Sequence, residues 1–190
     1  KNIIFVSGNK LISFKISRKT LLPKIDMVMF FIKNIMNIKV KKNRFLFYGD
    51  YKLKCSVGKS GIKNFKKEGD LVTPKGTYGL GNLFFRKDRN NKFNCHLKKV
   101  IIKKNMGWCD DVTSHKYNKI IYFPFKFSAE KLFRKDRIYD LFIDIKYNKN
   151  PIIKGKGSVI FFHITNKKFK PTKGCISILK KDFLKILPNI

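Results

Sequence analysis

The sequence predicts a mainly β domain with a few short helices. Two alternating stretches carry that prediction. At 51–57, Tyr51, Leu53, Cys55 and Val57 alternate with Lys52, Lys54 and Ser56. At 139–146, Tyr139, Leu141, Ile143 and Ile145 alternate with Asp140, Phe142, Asp144 and Lys146. Successive side chains of a strand point to opposite faces, so a period of two marks a half-buried strand. The third observation is an apolar run, Val159, Ile160, Phe161 and Phe162, that ends on His163. With 190 residues, the chain is long enough for one domain with a sizeable core.

Taken in order, residues 1–35 read as an N-terminal extension outside the domain, disordered or helical. The sequence opens on Lys1, and Met36 is an alternative start. The stretch 21–36 is apolar but is broken by Lys24, Asp26, Lys33 and Asn34. Charges near the middle of a membrane span are costly, so no stable span is expected. No small-residue cleavage pattern follows, so no clear signal peptide is read either. The domain is expected over 36–190. It opens with an apolar run at 44–48 and a Gly49-Asp50 turn. A Gly- and Lys-rich loop at 58–70 leads to Thr73-Pro74-Lys75-Gly76, a turn feeding a strand at 77–80. A charged connection is expected at 84–94 and a strand at 96–102. Ser128 as N-cap and Glu130 in a first turn predict a short helix ending near Asp136. A turn follows the 139–146 strand at 148–151. At 180–187, Phe183, Leu184 and Leu187 share one face of a closing helix that Pro188 stops.

The net charge of +32 invites a nucleic acid or an anionic surface as partner. Against that, Lys, Asn, Ile and Phe are abundant together, as in an AT-rich coding sequence. The basic residues are spread along the chain rather than gathered in a patch. No nucleic-acid-binding motif is present, so no nucleic acid partner is expected. Four cysteines, Cys55, Cys95, Cys109 and Cys175, form no C-x-x-C pair, which argues against a zinc site; no metal is expected. Cys55 lies on an apolar strand face and reads as core. Cys95 and Cys109 are free or paired according to the compartment.

The chemistry concentrates between His163 and Cys175. A loop holding Pro171 and Gly174 can bring Cys175 back beside the end of the His163 strand. A Cys and a His brought together make a thiolate nucleophile and its base. Gly174 permits a tight turn, and the backbone N–H groups of Lys173, Gly174 and Cys175 are candidates for an oxyanion hole. The Thr172 hydroxyl is placed to orient the loop or the imidazole. A second cluster lies at 107–118, where Trp108, Asp110, Asp111, His115, Tyr117 and Asn118 crowd a loop. Such loops often bind a ligand. The alternative is a solvated loop with Trp108 tucked into the core. Asp110, Asp111 and His115 follow no metal-ligand spacing rule.

At these residues the sequence resembles a known family. His163 followed by Thr172-Lys173-Gly174-Cys175-Ile176 is similar to the signature of YkuD-type L,D-transpeptidases. Gly58-Lys59-Ser60-Gly61-Ile62, Lys67-Glu68-Gly69-Asp70 and Thr73-Pro74-Lys75-Gly76-Thr77-Tyr78 resemble the family's upstream signature. Gly107-Trp108-Cys109-Asp110-Asp111, Tyr117-Asn118, Tyr139-Asp140-Leu141 and Gly157-Ser158 resemble one branch of it. The likeness spans about 44–187. Better-known members have Gly after the His and Arg two places after the Cys, where this chain has Ile164 and Ser177.

The resemblance implies an L,D-transpeptidase-like β-sandwich and cysteine-dependent acyl transfer on peptidoglycan stem peptides. The product would be a cross-link or, with water as acceptor, a carboxypeptidase product. It implies Cys175 as nucleophile, His163 as base, no cofactor, and a place in the cell envelope or periplasm. Substrate contacts are expected from Trp108, Asp110, Asp111, Tyr117, Asn118 and Tyr139. Ser cannot make the bidentate contact that an Arg makes to a carboxylate, so another basic residue or the 108–118 loop is expected to compensate. Two other classes are a cysteine hydrolase of a different amide and a non-catalytic basic module binding the envelope or nucleic acid. Acceptor preference separates the first; salt-sensitive DNA binding by a Cys175→Ala protein would mark the second.

Overall fold

A computed structural model describes residues 2–6, 37–90, 92–165 and 168–190. The fold is mainly β, with one short α-helix among the described residues. Its central strand is β7 (Gly76–Phe85). On one side of β7 lie β12 (Leu141–Ile145), β13 (Ile160–Thr165) and β14 (Ile176–Leu179). On the other lie β1 (Asn2–Val6), β2 (Asn37–Lys41), β3 (Phe45–Tyr48) and β4 (Tyr51–Lys54). The short strand β8 (Lys99–Ile101) runs parallel to the far half of β7.

The ends of this long sheet meet. Ser56, just past β4, exchanges two backbone hydrogen bonds with Ser177 of β14, at 2.8 and 3.0 Å. The sheet therefore curls around a first core that includes Val40, Leu46, Leu83, Ile143, Phe162 and Ile178. Helix α1 (Lys180–Ile186) closes it, with Phe183 against Phe162 at 5.0 Å between ring centroids. Leu187 continues into a 3-10 turn (Leu187–Asn189) that contains Pro188.

A second core lies on the opposite face of β7, β12 and β13. It holds Phe84, Phe142, Phe161, Trp108 and Tyr139. A small sheet covers it, in the order β10 (Ile120–Tyr122), β9 (Met106–Cys109), β11 (Ala129–Lys131). Covered on both sides, β12 is buried at every position. The alternation at 139–146 thus marks two different cores rather than core and solvent. Phe142 stacks on Phe84 at 4.7 Å, and Asp144 is buried with the Asn82 N–H and the Lys149 ammonium as partners.

Several expectations change. Residues 129–131 form a strand, not a helix, because they pair along β9, with Glu130 opposite Trp108. The hydroxyl of Ser128 goes to Asp110 at 2.7 Å instead of capping a helix. Tertiary pairing outweighs a cap signal in so short a segment. The strand read at 77–80 runs to Phe85, so Phe84 belongs to the sheet and not to a charged connection. The strand read at 96–102 shortens to β8. Loop 107–118 begins as strand β9. Asn2–Val6, read as part of an extension outside the domain, pairs with both β2 and β7. The rest of that extension, with the apolar stretch at 21–36, lies outside the described residues. The 58–70 loop contains β5 (Ile62–Lys63), paired with β6 (Thr73–Pro74).

Candidate active site

Strands β13 and β14 are parallel, with Phe162 opposite Ile176 and His163 opposite Ser177. One step back, Cys175 is level with Phe161, whose N–H donates to the sulfur at 3.4 Å. Paired residues share a sheet face, and so do residues two apart. Cys175, Phe161, His163 and Ser177 therefore all face the second core. A strand spacing near 4.8 Å and a two-residue rise separate the Cα atoms of Cys175 and His163 by roughly 8 Å. That is within reach of a thiol and an imidazole. Among the described hydrogen bonds none joins the sulfur to the ring, and apo catalytic pairs are often loose in this way.

The turn before Cys175 is held from below. Thr73 is fully buried; its hydroxyl donates to the Gly174 carbonyl at 2.8 Å and accepts the Gly58 N–H at 2.7 Å. The upstream Thr73-Pro74 motif therefore anchors the Cys175 turn. Gly174 has φ +135°, and a Cβ there would lie 2.8 Å from the Val72 carbonyl oxygen, so only glycine fits. The Thr172 hydroxyl donates to the Cys175 carbonyl at 2.5 Å, and its oxygen accepts the Gly174 N–H at 3.2 Å. Both bonds tie the Thr172 side chain to the turn. The Gly174 N–H is occupied, which narrows the oxyanion candidates to the N–H groups of Cys175 and Lys173.

Burial sets the resting charges. His163 is 5% exposed, and burial pushes its pKa down to about 4. Hydrogen bonding to the backbone of Ile164 and Ile138 and the Asp136 carboxylate oppose this but do not prevail. Nδ1 lies 2.8 Å from the Ile164 carbonyl. Donation there leaves Nε2 as the basic nitrogen of a neutral ring. Cys175 is half-buried against the second core. Burial first, then the Glu130 carboxylate, push its thiol up to about 12, against the Phe161 N–H and the Lys66 ammonium. Both shifts favour a neutral thiol and a neutral imidazole at rest. Tyr139 borders both. Its ring meets His163 edge to face, and its hydroxyl donates to Glu130 at 2.8 Å.

The other sequence-named residues divide. Trp108 is buried in the second core; its indole N–H donates to Asn118 at 3.0 Å, and the Lys149 ammonium covers the ring at 4.4 Å. Asn118 is buried with φ 57° and donates to the Asn148 carbonyl. Tyr117 is buried and donates to Glu68 at 2.6 Å. These three brace loops together. Asp111 accepts from the Thr113 hydroxyl and N–H and from the Ser128 N–H. Asp110 accepts from the Ser128 hydroxyl. His115 is exposed. All four cysteines are free thiols: Cys109 is buried in β9, and Cys95 packs against the first core with its sulfur accepting the Leu97 N–H. Cys55 is core, as read.

Sequence reading missed Glu130 as a site carboxylate and Lys66 altogether. Glu130 was hidden by its apparent place in a helix. Lys66 is one basic residue among 44, with no local signal to single it out. A cleft of about 460 Å³ opens beside Ile164 and Thr165 at the far end of β13, lined also by Arg89, Asp136, Ile138 and Lys180, with His163 outside its wall. Cys175 is not in its wall.

The model of the L,D-transpeptidase catalytic domain (YkuD) matches residues 34–190, and the chain belongs to that family. Comparison with curated proteins and with solved structures found no match. At the level of the family, this is a domain of L,D-transpeptidase type with peptidoglycan as its class of substrate. No helix among the described residues is long and apolar enough to cross a membrane.

Proposed function

We propose that this chain is a cysteine acyltransferase of the cell envelope acting on peptidoglycan stem peptides. Cys175 and His163 on one face of two adjacent parallel strands, behind a turn anchored by Thr73, carry the reading. In this mechanism the thiol proton passes to His163 as the sulfur attacks the carbonyl that joins a diaminopimelate-type residue to the terminal D-Ala. A new C–S bond forms, and the carbonyl becomes a tetrahedral oxyanion held by the N–H groups of Cys175 and Lys173. Collapse breaks the C–N bond; the imidazolium returns its proton to the leaving amine, and D-Ala departs. An amine of a neighbouring stem then attacks the thioester and loses its proton to His163; the C–S bond breaks, the sulfur takes that proton back, and a cross-link remains. Water in that role gives the carboxypeptidase product. Starting from a neutral pair lets charge separate only when substrate arrives, and the backbone partners of His163 and Asp136 favour the imidazolium at that moment.

For substrate contacts, Glu130 and Tyr139 are near enough to the sulfur to act on its charge, with Asp110 and Lys173 near Glu130. The Glu130 side chain keeps 38% exposure, enough for a ligand to reach it. Trp108, Tyr117 and Asn118 act from behind by shaping the wall, and Asp111 by ordering its loop. Incubation of the full chain with tetrapeptide muropeptides, followed by mass spectrometry, tests the reading. Cross-linked dimers or loss of D-Ala are expected from wild type and neither from Cys175→Ala or Cys175→Ser. Wild-type rates in Cys175→Ala would remove Cys175 as the nucleophile.

A further inference from the structure

We propose that Lys66 is the built-in counter-charge of the reaction: its ammonium, held inside the 58–70 loop against Gly174, stabilises the anion that forms on Cys175 and on the carbonyl oxygen it attacks. The inference rests on Cys175 being the nucleophile, and it assigns a residue that the family signature around Cys175 does not contain.

The position of Lys66 is built rather than incidental. Only 5% of its side chain is exposed, whereas lysine is rarely buried unless paired. Gly157 makes room for it. At Gly157, with φ +92°, a Cβ would lie 2.7 Å from Lys66 Cε and 3.0 Å from Cδ and Cγ. At Gly174, a Cβ would lie 3.4 Å from Lys66 Nζ. The stem therefore runs past Gly157 and delivers the ammonium to the residue next to Cys175.

Its hydrogen bonding leaves it one donor short of use. Nζ donates to Asp70 at 2.9 Å and to the Lys67 carbonyl at 3.4 Å. An ammonium has three donors. Asp70 is itself engaged by the N–H groups of Lys67 at 2.6 Å and Val72 at 2.9 Å. Burial would raise the Asp70 carboxyl, but these N–H groups and Lys66 outweigh it, and the carboxylate stays ionised. Among the described residues no third acceptor meets the Lys66 ammonium, which leaves a donor for an anion arriving beside Gly174.

The charges around Cys175 make this cation matter. Glu130, from β11, opposes a negative sulfur, and Lys66, from the loop, favours one. Tyr139 borders the sulfur as a neutral phenol, and His163 on β13 is neutral at rest. Ser177, where better-known family members carry Arg, is buried and uncharged, with no partner for its hydroxyl among the described residues.

The test reads thiol chemistry rather than turnover. Full-length protein is treated with iodoacetamide between about pH 7 and 10, and alkylation of the Cys175 peptide is followed by mass spectrometry. Lys66→Met is expected to slow labelling about tenfold at each pH below the plateau, with the profile displaced to higher pH. Lys66→Arg is expected to keep the wild-type profile. Asp70→Asn removes the competing carboxylate and is expected to speed labelling about threefold. A merely structural ion pair would loosen the loop in both variants and move both profiles the same way. A Lys66→Met profile that superimposes on wild type, or equal signs for the two variants, overturns the inference. Should Lys66→Met fail to fold, Asp70→Asn decides, and no acceleration there overturns it. If wild-type Cys175 takes no label at any pH, the nucleophile reading falls and takes this inference with it.

Discussion

The rings of Tyr139 and His163 meet edge to face, with centroids 5.3 Å apart and planes at 86°. The Tyr139 hydroxyl meanwhile donates to Glu130. One side chain thus meets the imidazole on one flank and the Glu130 carboxylate on the other. Tyr139→Phe keeps the ring and removes the donor, at an expected cost of about 1–2 kcal/mol in denaturant unfolding with most turnover retained. Tyr139→Ala also opens a cavity beside His163 and is expected to cost about 3–5 kcal/mol. Its turnover should fall much further than that of Tyr139→Phe. Equal turnover in the two variants would show that the ring does not position His163.

His163 makes stability depend on pH in a defined window. Its pKa is depressed in the folded protein, to about 4 from 6.5. Between those values the unfolded chain binds the extra proton, so stability rises with pH and is lost as pH falls through the window. The full effect is about 3 kcal/mol. Glu130 works the other way: burial raises its pKa, so its contribution diminishes as pH rises. Comparing His163→Gln with wild type isolates the imidazole. The variant's unfolding free energy should be flatter between about pH 4 and 6.5. An unchanged slope would show that His163 is not held neutral by burial.

Glu130 opposes ionisation of Cys175. Glu130→Gln keeps an acceptor for Tyr139 and deletes the charge. Labelling of Cys175 by a thiol electrophile should therefore speed up about twofold to fivefold at neutral pH. Slower labelling would mean that the carboxylate acts as a base toward the thiol instead of as a repelling charge.

Thr73 bridges Gly58 and Gly174 from a fully buried position. Thr73→Val keeps the shape and strands one N–H and one carbonyl. It should cost about 2–4 kcal/mol and reduce turnover, because the Gly174 turn loses its anchor. Thr73→Ser restores the hydroxyl and should recover both, measured by thermal unfolding and by D-Ala release.

Much was legible in the sequence by itself, because alternation and turn chemistry are local properties. The runs at 51–57 and 139–146 and the apolar stretch before His163 specify strands wherever they end up, and the mainly β class follows. Gly174 before Cys175, with the upstream Thr73-Pro74 motif, is enough to point to the family. Tertiary structure alone decided the rest. The parallel register of β13 and β14 puts Cys175 and His163 on one face, and register depends on partners far apart in the chain. Pairing along β9 turned the helix expected at Ser128 into a strand and brought Glu130 to the site. Trp108 went to the core because Phe84 and Phe161 were there to receive it. The depressed pKa of His163 and the raised pKa of Cys175 come from burial, as does the shielding of Lys66 from water, and burial is set by whatever the fold packs around a residue.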